Sequence, residues 1–326
     1  MSRENIPLIA FLLTLAFSKF GCSSDVSKQE LAPEKNTESE YLEAGSFLYE
    51  DNSTYSGEMK FGKPHGVGQK KFSNGKSYKG QFRKGFMHGA GKMVYEKDSP
   101  MIEFTGLWDK GVKSGRGSLI LEDGSRIDGY WENDVLRYGE SFSFDGTRSI
   151  GIWKKGGLSE GVLYSPIGDT LSGQFDQNGL IVSGSLRKTS GEIYYGEFKD
   201  GEFDGSGVWE SGGGVLYVGG FTLGKKNGNG ILKDAEESLY HGEFQNDLPH
   251  GIGTQKDVSG SRYYGAWQLG LMHGQGKLDF GDGNSFSGEF ENGRAVDGIY
   301  YWQDGRTSRS FQDLDGNWQD FPREKE

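Results

Sequence analysis

From Tyr55 onward, apolar and polar residues alternate with the two-residue period of a half-buried strand, not the 3.6-residue period of a helix. In the run from Tyr194 to Phe198, residues i, i+2 and i+4 put Tyr194, Gly196 and Phe198 on one face and Tyr195 and Glu197 on the other. The same phrase opens at Tyr55, Tyr78 (with Phe82), Phe104 (with Trp108), Leu171, Tyr194, Tyr217, Tyr240 (with Phe244), Tyr263 (with Trp267) and Phe286. Successive openings lie mostly about 23 residues apart, the spacing of a repeat array. Each phrase runs on to a Gly-x-Gly pair, such as Gly66/Gly68 or Gly205/Gly207, that predicts the start of a return strand. The first of those glycines is expected to take the positive φ of a tight turn. Asn74-Gly75, Asp123-Gly124, Asp145-Gly146 and Asp282-Gly283 predict the turns into the following repeats. Gly196, set between two aromatic positions, is expected to make room for rings from the neighbouring hairpin.

The unit is therefore a β-hairpin, and roughly eleven fit between Tyr55 and Gly305. A lone hairpin is marginal in water, so each must lean on its neighbours and the two ends need caps. Tyr41–Tyr49 is the candidate N-terminal cap; Phe311, Trp318 and Phe321 are the candidates at the other end. The middle is degenerate. The copy near Ile127 keeps Gly129 and Trp131 and then diverges through Val135, Leu136, Arg137 and Tyr138. The next keeps Gly151, Trp153, Gly156 and Gly161, and residues 96–102 are an insertion. A bend or local specialisation and neutral drift are both open there.

Composition sharpens this picture. With 55 glycines against 7 prolines and no strict Gly-X-Y period, the chain is neither collagen-like nor a Pro/Gly-rich disordered segment. Aromatic residues supply 13% of a chain only 33% hydrophobic, which describes short strands and tight turns and not a deep aliphatic core. The net charge of −11 disfavours nucleic acid and simple adsorption to an anionic bilayer. The local cluster Lys70, Lys71, Lys76, Lys79, Arg83 and Lys84 reads as solvated strand faces.

The pattern Tyr-x-Gly-Glu-Phe-x-x-Gly followed by Gly-x-Gly is similar to the MORN repeat (membrane occupation and recognition nexus), over about Tyr55 to Gly305. The resemblance implies an all-β fold: an elongated, single-layer antiparallel β-hairpin array twisted into a trough. Enzymes that carry such arrays keep catalysis in a separate domain, and no stretch outside the repeats is long enough for one.

The N-terminus is of a different kind. Ile6–Phe17 is almost wholly apolar behind Arg3 and has the length of a signal-peptide core, short of a membrane span. It leads into Ser18-Lys19-Phe20-Gly21-Cys22, which resembles a bacterial lipobox, with Lys19 where an aliphatic residue is usual. That resemblance implies cleavage before Cys22, lipidation of Cys22, and anchoring through several acyl chains. Ser23–Glu40 is polar and reads as a disordered tether. The expected division is signal 1–21, lipidated cysteine and tether 22–45, array with its N-terminal cap 46–305, and C-terminal cap or tail 306–326. Cys22 is the single cysteine, so no disulfide within the chain and no cysteine metal site is possible.

Candidate chemistry is thin. His65, His88, His250 and His273 recur in one repeat slot and read as structural, and no zinc-type spacing supports a metal. Glu58, Glu197, Glu243 and Glu289 share another slot and read as a solvated stripe, not a catalytic pair. Gly75-Lys76-Ser77 lacks the earlier glycine of a phosphate loop, Gly224–Gly230 lacks a βαβ context, and Asp313–Gly316 is an incomplete calcium loop. An enzyme would need a site around Arg137, Tyr138, Lys154 and Glu160. The expectation is a non-enzymatic protein with no cofactor and no metal. It is lipid-anchored in a bacterial cell envelope, at the outer membrane, and binds a protein partner or itself. Lipid-headgroup or glycan binding is the alternative. The expected binding surface is the aromatic stripe: Tyr55, Tyr78, Phe82, Trp108, Tyr194, Phe198, Tyr217, Tyr240, Phe244, Tyr263, Trp267 and Phe286.

Overall fold

A computed structural model describes residues 43–321. Cys22, the signal, the tether and Tyr41 lie outside the described residues. The described chain is one antiparallel sheet of 25 strands, β1 (Glu43–Leu48) to β25 (Trp318–Asp320), with each strand bonded to its neighbours in sequence. From β2 (Thr54–Lys60) and β3 (Lys63–Lys71) to β22 (Ser285–Glu291) and β23 (Arg294–Tyr301), consecutive strands pair off as eleven hairpins. The degenerate middle does not interrupt them. β8 (Arg126–Glu132) with β9 (Val135–Phe142), β10 (Arg148–Lys154) with β11 (Gly157–Tyr164), and β12 (Thr170–Phe175) with β13 (Ile181–Arg187) are hairpins like the rest.

The register shows why. Gly45 pairs with Gly57, Gly57 with Gly68, Gly68 with Gly80, and the chain of glycine partners continues through the middle to Gly288 and Gly298. Every strand from β1 to β23 contributes one glycine to this row. Over it lie the tyrosine rings. A Cβ on Gly207 would come within 2.5 to 2.7 Å of the Tyr194 ring, and one on Gly230 would meet Tyr217 in the same way. Gly196 thus makes room for its own hairpin's tyrosine, two residues earlier, and not for a neighbour's ring as expected. In the middle the glycine row persists without such a ring. The space beside Gly151 and Gly161 is filled by the partner strand's carbonyls of Glu160 and Ile150, so close backbone approach alone demands glycine there.

β12 and β13 are joined by the longer loop 176–180, but the tight turn inside the other ten of the eleven hairpins is a two-residue turn with both φ positive. Phe61-Gly62, Lys84-Gly85 and Asp200-Gly201 are examples, and this is the type I′ geometry that matches strand twist. Asn74-Gly75 and its analogues turn between hairpins as expected, with Gly75 at φ 92° and its N–H donating to Phe72 O at 3.0 Å. The first glycine of each Gly-x-Gly does take positive φ (77° at Gly205), but for a different reason. It sits in a bulge, where Glu197 alone stands opposite residues 204–206.

Rings pack down the sheet in a relay. At Tyr78 and Phe104 and again from Tyr194 to Tyr263, each opening ring meets, edge to face, the aromatic four residues on and its counterpart in the next hairpin. Tyr217 thus lies 5.1 Å from Phe221 and 5.0 Å from Phe244, and Tyr240 lies 5.0 Å from Phe244 and 5.1 Å from Trp267. Tyrosine hydroxyls donate to the carbonyl three residues on, as Tyr194 does to Glu197 O at 2.9 Å and Tyr217 to Gly220 O at 3.0 Å. Trp108, Trp131, Trp153 and Trp267 donate their indole N–H to a glycine carbonyl of the preceding hairpin at 3.2 to 3.3 Å. The relay runs from Tyr55 to Trp131 and resumes from Tyr194. Between them the buried apolar residues are Leu136, Trp153, Leu158, Phe175 and Ile181, with no ring-to-ring contact among them.

At the C-terminal end β24 (Thr307–Gln312) and β25 extend the sheet itself, and Trp318 covers Phe286 and Tyr300 at 4.9 and 5.0 Å. Phe311 and Phe321 pack on each other at 4.8 Å. At the other end β1 pairs with β2, and Phe47 and Leu48 stay exposed.

Two ring-face positions on the return strands carry lysine, buried at Lys113 and partly buried at Lys226. Lys113, on β7 (Val112–Leu121), lies 5.4 Å from the Phe104 ring centre and 4.8 Å from that of Trp131. Lys226, on β17 (Lys225–Lys233), lies over Trp209 and Tyr217. Burial lowers the Lys113 pKa, and nearby Asp134 opposes that shift. In both cases the next hairpin turns through Asn-Asp, with both φ positive, and the aspartate accepts the lysine backbone N–H at 2.9 Å (Asp134 for Lys113, Asp247 for Lys226). Methionine fills the same slot at Met87 and Met272, and glycine is the second turn residue of the hairpin that follows each. Replacing the pair together, Lys113→Met with Asp134→Gly, is therefore expected to leave stability unchanged or raise it by about 1 kcal/mol, whereas Asp134→Gly alone costs about 1–2 kcal/mol. Urea midpoints of the three chains check this; equal losses in the single and double variants would contradict it.

Candidate binding surface

All twelve residues of the expected aromatic surface are in the core, none more than 7% exposed. This corrects the reading from sequence. A single sheet has no second layer to cover its rings, but the glycine row lets them lie flat on the backbone and the relay lets each cover the next. A partner cannot reach them without unfolding hairpins, so changing Tyr194 and Phe198 to serine tests folding and not binding.

Glu58 and Glu243 of the acidic stripe prove to be part of the fold, whereas Glu289 accepts from the Gln275 side chain. Glu58 accepts the Val67 N–H at 2.7 Å, Gln81 the Ala90 N–H at 3.2 Å, and Glu243 the Ile252 N–H at 3.1 Å, each closing its hairpin's bulge. Of the basic cluster, Lys79 faces outward, paired in register with Gln69 and Lys92. Lys70 and Lys76 instead lie on the ring face, Lys70 over Tyr49 and Phe72, and Lys76 near Tyr95 and Glu96. His88 pairs with Asp109 at 3.2 Å, and among the described residues no group of three or more His, Cys, Asp or Glu is placed to hold a metal ion. Arg137 pairs with Glu132, while Tyr138 and Glu160 face outward, two strands apart, on opposite sides of Ile152. Lys154, Lys155 and Glu160 line an open hollow with Gln174 and Asp176.

What remains accessible is the opposite face. Its central row follows the register partner by partner. In the C-terminal half it runs through Tyr195, Val208, Val218, Ile231, His241, Thr254 and Tyr264. Tyr195, Val218 and Ile231 are each 42% exposed and Tyr264 is 62% exposed. A second group, Tyr130 and Tyr138, lies on the same face in the middle hairpins, as cross-strand partners. None of these was expected on the binding surface; Tyr138 alone was singled out from sequence, for a candidate enzyme site. The available signal was their phase: they stand on the strand face opposite the glycines and opening tyrosines.

Comparison with known families and structures follows this geometry. The MORN repeat family matches residues 55–77, 78–99, 104–126, 194–214, 217–236, 240–262, 263–285 and 286–305. The hairpins from β8 to β13 fall between the matched repeats. No curated protein sequence matches the chain. Among solved structures, the TCP domain of Drosophila melanogaster SAS-4, in complex with a proline-rich motif of Ana2, is similar at 10% identity and TM-score 0.29. That similarity covers 52% of this chain and 86% of the domain. The TCP10 domain of Danio rerio CPAP is similar at 9% identity and TM-score 0.22, over 81% of this chain and 96% of that one. Virginiamycin B lyase from Staphylococcus aureus shares 9% identity at TM-score 0.14, over 84% and 85%. Likenesses this distant carry nothing about what the chain binds.

Proposed function

The chain belongs to the MORN-repeat family, and from that premise we propose that it is a non-enzymatic binding scaffold whose outward face holds a protein partner. The observation that carries this reading is the division of labour between the faces. The glycines, tyrosines and bulge-closing glutamates of the repeat are occupied by the fold, while Tyr195, Val218, Ile231 and Tyr264 form a half-exposed apolar row with no structural duty among the described residues. Exposed aromatic and β-branched side chains ranked at strand spacing, about 4.8 Å apart, suit an extended partner surface. We further propose that the scaffold is held at a bacterial cell envelope, at the outer membrane, by lipid on Cys22. The apolar segment and lipobox-like residues before it support that placement.

The test is capture. Residues 23–326, used as bait in detergent extracts of the source cells' own envelope, are expected to recover one dominant protein. That protein is lost when Tyr195 and Tyr264 are changed to serine and circular dichroism shows the sheet intact. Recovery that is indifferent to those changes, or no recovery, overturns the reading; lipid vesicles and glycan arrays then test the alternative ligands. Membrane fractionation of the full chain and its Cys22→Ser variant tests the anchor, with release of the variant as the expected result.

A further inference from the structure

The outward face departs most from the repeat between β6 (Met101–Asp109) and β11. In the units that open at Tyr55, Tyr78 and Tyr240, the residue three positions on is Glu58, Gln81 or Glu243, whose side chain closes the bulge. At β6, β8 and β10 that slot holds Leu107, Tyr130 and Ile152, which are 44%, 54% and 39% exposed. Three successive hairpins thus give up a bulge-closing side chain and present an apolar one to water. A structural bond has been exchanged for surface that contributes nothing to the core.

The strands between complete a row. Arg116 on β7 is the register partner of Tyr130, Tyr130 of Tyr138, Tyr138 of Ile152, and Ile152 of Glu160. In strand order the row reads Arg116, Tyr130, Tyr138, Ile152, Glu160. It is symmetric about Tyr138 in kind and opposite in charge at its ends. Both ends stand two strands, about 10 Å, from Tyr138. Arg116 and Glu160 are exposed, and neither has an ion pair among the described residues. Two rows further along the same face, Arg126 and Arg148 lie over the Phe142 ring, and Arg148 lies over Tyr164; on the row between, Asp128 and Glu140 pair with these two arginines. Arg116, Tyr130 and Tyr138 are of the residue types enriched at interface hot spots.

We infer that these middle hairpins are the contact by which two copies of this chain associate face to face about a two-fold axis through Tyr138. In that arrangement Arg116 of one copy meets Glu160 of the other, Tyr130 meets Ile152, and Tyr138 meets its own counterpart, the self-complementary contact that a closed dimer requires. A partner of unrelated chemistry would not call for opposite charges equally spaced from a central tyrosine. This rests on the reading of the outward face as the binding face, and it leaves the Tyr195 to Tyr264 row free for a different protein.

The experiment uses the full chain carrying Cys22→Ser, kept in mild detergent, with one cysteine introduced in place of Tyr138 or, as a control elsewhere on the same face, Tyr264. Under mild oxidation Tyr138→Cys is expected to give disulfide-linked dimer at least ten-fold faster than Tyr264→Cys. Sedimentation of the Cys22→Ser chain is expected to show a dimer that Arg116→Glu weakens at least ten-fold and that Arg116→Glu with Glu160→Arg restores. These positions are exposed, and circular dichroism checks that each variant keeps its sheet. A monomer at every concentration, equal cross-linking at the two positions, or charge reversal without rescue would overturn the inference. A monomeric chain that still captures a partner through Tyr195 and Tyr264 removes this inference alone. A dimer that captures nothing removes the scaffold reading and leaves this one standing.

Discussion

Gly207→Ala is expected to destabilise the chain by about 3 kcal/mol, at the upper end of what a single added methyl costs in a packed core. The new Cβ would stand 2.5 Å from Cε2 and from the hydroxyl of Tyr194 and 2.7 Å from Cζ. That ring has nowhere to go. Its hydroxyl is bonded to Glu197 O, Phe203 stacks on it at 3.8 Å, and Phe198 and Phe221 close its edges at 5.0 and 5.3 Å. Gly201→Ala is the matched control. Gly201 has φ 85° and nothing within 4 Å of an added Cβ, so only the backbone conformation is penalised, at about 1 kcal/mol. Urea unfolding gives the two losses. Hydrogen exchange locates the damage from Gly207→Ala, which is expected on β14 (Ile193–Lys199), β15 (Glu202–Glu210) and β16 (Leu216–Thr222). Equal losses for the two substitutions would mean that Tyr194 does not lie on the glycine row.

The second large effect is alkaline unfolding. Burial pushes the phenols of Tyr55, Tyr78, Tyr194, Tyr217, Tyr240 and Tyr263 up to about 12, and nearby carboxylates reinforce this at Tyr55, Tyr194, Tyr217, Tyr240 and Tyr263. A phenol whose folded pKa is raised above its unfolded value near 10 contributes stability that is fully present below pH 10 and lost as pH rises through 12. Six such groups therefore leave stability level through neutrality and make it fall steeply between pH 10 and 12. Because the rings support one another, ionising one exposes the next, and the loss is expected to be cooperative. Tyrosinate absorbance and far-ultraviolet circular dichroism, followed together, should show these phenols ionising as the sheet is lost. A sheet that persists after all tyrosines have ionised near pH 10 would contradict the burial of those rings.

Much of this fold was legible in the sequence. The alternation from Tyr194 to Phe198 fixed the strand and its two faces, and the Gly-x-Gly pairs located the return strands. The positive φ at Gly205 was also expected, although a bulge and not a turn requires it. The function of each face was not legible. Tyr194 and Phe198 read as an exposed stripe because a single sheet seemed to offer them no cover. The missing step was the register: Gly196 and Gly207 pair across the hairpin and leave a flat place as large as a ring. Glu58 and Glu243 read as solvated because their bonds run to backbone N–H groups nine residues on, which no pattern of side chains displays. The middle hairpins look degenerate by their lost tyrosines, yet Gly129, Gly139, Gly151, Gly161, Gly173 and Gly184 keep the backbone rule. What changes there is the outward slot, at Leu107, Tyr130 and Ile152.

The central claim is that the repeat's own rings build the core and the opposite face meets partners. Chemical nitration of tyrosine in the native protein, mapped by mass spectrometry, tests it most directly. Tyr195 and Tyr264, exposed and outside the dimer contact inferred above, are expected to be modified first, while Tyr55, Tyr78, Tyr194, Tyr217, Tyr240 and Tyr263 stay protected until the chain is unfolded. Early modification of the repeat-opening tyrosines, with Tyr195 and Tyr264 spared, would reverse the two faces and contradict the account.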